Sequence, residues 1–106
     1  MNIPVQRGDV YWVNLDPTVG KEVKKRRPAV VVSPNEMNRS LAVVIVAPIT
    51  SSSKPWPTRV DMQLSGKPAQ MMLDQIRTVD KSRLVGRIGT VEVDEALSAL
   101  QIMFAY

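Results

Sequence analysis

Hydrophobic and polar positions divide the chain into short strands followed by one helix. Residues 9 to 15, Asp-Val-Tyr-Trp-Val-Asn-Leu, alternate imperfectly and are rich in Val, Tyr and Trp, which predicts a strand. Gly8 before it and Asp16-Pro17 after it are turn punctuation. The polar stretch from Thr18 to Arg26 is longer than a hairpin needs, and loops of that size often carry function. Ala29 to Val32 is apolar and β-branched without a break, the pattern of a strand buried on both faces. Pro28 lacks a backbone donor and suits the first residue of that strand. Ser33-Pro34 ends it and predicts a short helix over 35 to 39. Leu41 to Ile49 is the strongest apolar run and predicts the centre of the sheet, with pairing broken near Pro48. Arg59 to Leu64 alternates strictly, as a half-buried strand does, and Ser65-Gly66-Lys67-Pro68 predicts a turn. Strand character resumes over 69 to 73, is interrupted by Asp74-Gln75, and continues over 76 to 79. A last strand is expected over 83 to 88, closed by Gly86 and Gly89. From Val93 the apolar positions 93, 97, 100 and 104, with 96 and 103 beside them, have helical spacing. Asp94 and Glu95 place negative charge where the helix dipole favours it. The expected fold is mainly β: one domain over residues 1–106, a small antiparallel barrel or twisted sheet with short helices and a C-terminal helix packed on it.

Composition narrows the chemistry. The 106 residues include no cysteine and no histidine, which excludes disulfides, thiolate or imidazole metal sites, and Ser-His-Asp or Cys-His catalysis. Neither a metal nor a cofactor is expected. The net charge of +4 favours an anionic partner, with nucleic acid the default. Met1-Asn2-Ile3-Pro4 has no apolar signal core, and the longest apolar run is too short to cross a bilayer. A cytoplasmic protein without a membrane partner is expected.

The positive charge is concentrated in Lys24-Lys25-Arg26-Arg27, which runs directly into the strand at Pro28. A guanidinium at a strand mouth is held where an anion can meet it. At the end of the central strand stands a hydroxyl cluster, Thr50 to Ser53. RNA is a substrate such a chain can cleave, because RNA carries its own nucleophile in the 2′-hydroxyl. The protein then needs a base, an acid for the leaving 5′-oxygen, and a cation for the phosphorane. The parts available are Arg27, Thr50, Glu22, Lys21 and Asp74. Plainer readings exist: a solvated basic loop, a polar turn at 50 to 53, and an Asp74 that caps a turn or pairs with Arg77.

Several blocks occur in fixed order: Gly8-Asp9-Val10-Tyr11-Trp12, Leu15-Asp16-Pro17-Thr18, Gly20-Lys21-Glu22, Arg27-Pro28-Ala29-Val30-Val31, Pro48-Ile49-Thr50 and Asp74-Gln75-Ile76-Arg77-Thr78-Val79-Asp80. Together they resemble the MazF/PemK (Kid) family of toxin endoribonucleases, across almost the whole chain. The resemblance implies an SH3-like, CcdB/PemK-type barrel, a homodimer, and a cognate antitoxin that blocks the site. It also implies metal-independent, sequence-selective cleavage of single-stranded mRNA, leaving a 2′,3′-cyclic phosphate and a 5′-hydroxyl. By position, Arg27 and Thr50 resemble the family's catalytic arginine and threonine, and Glu22 resembles a loop glutamate near the active site. Asp74 resembles the acid that the PemK/Kid branch uses as a base. That branch has an arginine where this chain has Met72 and a loop histidine where it has Lys21, so the MazF-type pair Arg27 and Thr50 is the firmer assignment.

The expected site therefore has Arg27, Thr50 and Glu22 as catalytic residues. Asp74, Lys21, Ser51 and Ser53 are catalytic or RNA-contacting candidates, and Lys24, Lys25, Arg26, Lys54 and Trp56 are expected to bind RNA. Trp56, flanked by prolines, suits base stacking or the covering of apolar surface. Two rival functions use the same fold: a CcdB-like gyrase poison that cleaves nothing, and a non-catalytic nucleic-acid-binding barrel.

Overall fold

The computed structural model describes residues 4–15, 20 and 25–105. Seven strands form one antiparallel sheet curled into a half-barrel. They are β1 (Asp9–Asn14), β2 (Arg26–Val31), β3 (Val43–Thr50), β4 (Arg59–Leu64), β5 (Lys67–Met72), β6 (Arg77–Asp80) and β7 (Leu84–Thr90). Helix α1 (Asn35–Ser40) links β2 to β3, and α2 (Asp94–Met103) follows β7. The strand order is β4-β5-β3-β2-β1-β7, with β6 also on β3.

β3 is central, as its apolar run predicts. One side pairs with β2; the other pairs first with β6, through Val46, and then with β5, from Ile49. Pro48 sits where the partner changes. Its missing N–H therefore costs no ladder bond.

Side-chain alternation sends the two halves of each apolar strand to two cores. Val10, Val30, Ile49, Met71, Leu73, Val93 and Ala96 pack inside the curl, beneath α2. Val13, Leu15, Ala29, Val31, Val44 and Val46 pack on the opposite face with Tyr11 and Leu84. Burial on both faces is why residues 29 to 32 and β3 read as unbroken apolar runs.

Four expectations are corrected. β2 begins at Arg26 rather than Ala29, so Pro28 lies within the strand, opposite Trp12 of β1. The turn after β4 is only Ser65-Gly66, both at positive φ (53° and 78°), which leaves Lys67 and Pro68 in β5. Such a two-residue turn matches the twist of a hairpin. Gly86 and Gly89 lie inside β7 and pair with Trp12 and Val10, beside two register shifts where the strand bulges against β1. Helical spacing predicts Phe104 on the buried face of the last helix, yet it is 74% exposed. The helix ends at Met103, and the side chain leaves the packed stripe there.

Candidate active site

The position of Arg27 follows from strand geometry. In β2, the Val31 carbonyl accepts from Gly8 N–H on the β1 side, and Val32 N–H donates to Ile45 O on the β3 side. Backbone groups alternate along an antiparallel strand, so Val30 and Pro28 also face β3. Pro28 has no N–H to give, and the β2–β3 ladder stops at the pair Ala29 and Pro48. Continued two residues further, the same register sets Arg27 opposite Thr50 on one face of the sheet. The strands are no longer hydrogen-bonded at that point, and a groove of about 360 Å³ opens. Lys25, Arg26, Arg27, Thr50, Ser51 and Leu64 line it.

Arg27 is half-buried. Among the described residues no carboxylate lies within ion-pairing distance of its guanidinium. Thr50 is 9% exposed. Its hydroxyl accepts from Ser52 N–H at 3.2 Å and lies 3.3 Å from the Ser52 hydroxyl, a local turn that fixes the oxygen at the strand end. Chemically, the groove offers a half-buried planar cation, two further basic side chains, and the oriented Thr50 hydroxyl beside that of Ser51. That set suits a phosphodiester.

The loop beyond Thr50 carries Ser53, Lys54 and Trp56. Trp56 is 47% exposed. The Arg59 guanidinium lies 4.9 Å from its ring centre and the Lys54 ammonium 5.6 Å. Asp74 is exposed in the 3-10 turn Leu73–Gln75 and is not among the residues that line the groove. Arg77 donates to Leu15 O at 3.0 Å and so ties the sheet together. Lys21, Glu22 and Lys24 lie outside the described residues. Sequence reasoning does not single out Leu64, Arg59, Asp61 or Gln70. Gln70 carries a legible signal, since it is the polar residue in the run Ala69 to Leu73 and needs partners when buried.

Solved structures share this fold over nearly their whole length. MazF from Deinococcus radiodurans matches at a TM-score of 0.83 and 27% identity, covering 96% of this chain and 97% of that one. A mycobacterial endoribonuclease in complex with its cognate antitoxin matches at 0.79 and 26% identity, covering 96% and 98%. The family described as PemK-like, MazF-like toxin of type II toxin-antitoxin system matches residues 6–104, and the chain belongs to that family. Endoribonuclease EndoA of Bacillus subtilis strain 168 is 36% identical, with 95% of each chain covered. Endoribonuclease toxin MazF of Escherichia coli K12 is 34% identical, with 83% of this chain and 80% of the relative covered.

Proposed function

We propose that this toxin is a sequence-selective endoribonuclease that cleaves single-stranded mRNA in the groove between β2 and β3, without a metal ion and without requiring the ribosome. The observation that carries this reading is the shared register of Arg27 and Thr50 at the mouth of one cationic groove. The names of the relatives support the activity. The 2′-hydroxyl attacks the adjacent phosphorus and the bond to the 5′-oxygen breaks. The departing 5′-oxygen takes a proton from water, leaving a 2′,3′-cyclic phosphate and a 5′-hydroxyl. Arg27 stabilises the dianionic phosphorane, a role that suits a group protonated to a pKa above about 12. Thr50 orients a non-bridging oxygen. Glu22 takes the proton of the 2′-hydroxyl.

The protein acts as a homodimer in the cytoplasm and is held inactive by a cognate antitoxin; the antitoxin complex of the mycobacterial neighbour supports that partner. The test is incubation of the purified protein with a long RNA in excess EDTA. Discrete fragments with cyclic-phosphate ends are expected. Arg27→Ala should lose about a hundredfold or more in turnover. Glu22→Gln should also lose activity, and near-normal turnover would remove Glu22 from the role of base. Intact RNA together with trapped gyrase would favour the CcdB-like alternative, and binding without cleavage or gyrase poisoning would favour the non-catalytic barrel.

A further inference from the structure

The loop from Ser51 to Trp56 leaves β3 where the ladder has ended, and it crosses a cavity of about 60 Å³ lined by Ser51, Ser52, Ser53, Asp61 and Gln70. Arg59 N–H on β4 donates to Trp56 O at 3.0 Å, and the middle of the loop is held by one side chain. Gln70, 5% exposed and paired with Thr50 across the sheet, accepts Lys54 N–H at 3.1 Å and donates to Lys54 O at 3.2 Å. Its amide thereby replaces the missing strand opposite Lys54. Two neighbours fix which way the amide faces. Asp61 accepts from the amide nitrogen at 2.7 Å, and Arg59 donates to the amide oxygen at 3.2 Å. Arg59 also reaches Ser52 O at 3.4 Å and lies against the Trp56 ring.

We propose, resting on the RNA-cleaving reading, that Gln70 is the positioning residue for substrate selection. It holds Lys54, and through the loop Trp56, in the segment that runs on from the groove wall at Ser51, so that bases flanking the scissile phosphate are sorted by a fixed platform. Gln70 does not touch the reacting atoms, and its effect runs through the loop. A carboxylate at this position would still accept from Lys54 N–H and Arg59, but it would have nothing to donate to Lys54 O and would repel Asp61.

The test uses Gln70→Glu, Gln70→Glu with Asp61→Asn, and Asp61→Ala, each with and without Trp12→Phe. The chain has two tryptophans, so Trp12→Phe leaves Trp56 as the only one. Gln70→Glu should raise acrylamide quenching of Trp56 about twofold, a readout that needs no RNA. On long RNA, sequencing of 5′-hydroxyl ends should show the preference for the best sites over others falling about tenfold. On the preferred oligonucleotide, KM should rise more than kcat falls. Asp61→Asn supplies an amide that can donate to the introduced carboxylate, so the double variant should recover part of both effects. Asp61 is exposed on β4, so Asp61→Ala leaves the fold intact and should shift both readouts in the same direction, more weakly. Unchanged quenching in Gln70→Glu, or in Asp61→Ala if the former does not fold, overturns the fastening role. Changed quenching with an unchanged ranking of cleavage sites overturns the role in selection. If the unsubstituted protein cuts no RNA, the reading of the groove fails while the quenching result still stands or falls alone.

Discussion

At the scale of the residue, Gly8 has a specific duty. It sits at φ +94°, and a Cβ there would come within 2.9 Å of Val91 O. Its N–H donates to Val31 O and its carbonyl accepts from Val91 N–H, so one residue joins β2 to the segment that leads into α2. Gly8→Ala should cost about 2 kcal/mol and lower Tm by about 10 °C, read by thermal unfolding. Asp80 gives a pH prediction. Hydrogen bonds from Ser82, backbone first and then hydroxyl, hold its carboxyl below the ordinary aspartate value of 3.8. The folded state thus favours the ionised form. That contribution is present above the unfolded value and is lost as pH falls through the lower folded one. In acid unfolding below about pH 4, Asp80→Asn should show a shallower loss of stability than the unsubstituted chain. Tyr11 behaves in the opposite sense: burial first, and then Asp9, raise its phenol above 10.0, so its contribution is present below that value and fades at higher alkaline pH.

At the scale of the element, the strands are legible wherever burial imposes a period. β3 and β4 follow directly from a continuous run and a strict alternation. Lys67 and Pro68 look like turn residues because they are polar or ring-closed, and only pairing with Leu64 and Gln63 places them in a strand. Pro28 looks like a strand opening. The register shows instead that it closes one ladder while remaining within another. Arg27 and Thr50 stand out through charge, a strand end and family resemblance, but their facing one another depends on a register that no local pattern contains. Gln70 is visible as a polar residue in an apolar run, but a single amide names none of its partners. Pro28→Ala would supply the donor that β3 lacks at this point. The ladder should extend, the groove should narrow, and RNA cleavage should fall about tenfold or more with Tm little changed. Turnover and thermal unfolding on the same preparation check this.

At the scale of the whole molecule, the charge of +4 is not a uniform coat. Lys25, Arg26 and Arg27 share the groove, while Glu92, Asp94 and Glu95 stand with Asp61 around a different cleft. RNA binding should therefore depend on salt through a few local contacts. With about three phosphates neutralised, log affinity for single-stranded RNA should fall against log salt with a slope of about −2, and Arg26→Ala should make that slope shallower by about 0.7. A slope unchanged by Arg26→Ala would place the phosphate track elsewhere. The apolar spacing of the last helix predicts a stripe that ends at 104. The fold uses it only through Met103 and leaves Ile102 and Phe104 on the surface.

Pro28 also bears on what a genetic selection would find. Cells surviving forced expression of this toxin are usually expected to carry chains that misfold or lack a reactive group. A proline at which the ladder between two strands ends adds a third expected route to survival: a change there should disarm the protein by letting its sheet finish itself. Survivors altered at this codon should still accumulate the chain in folded form, with Arg27 and Thr50 both intact.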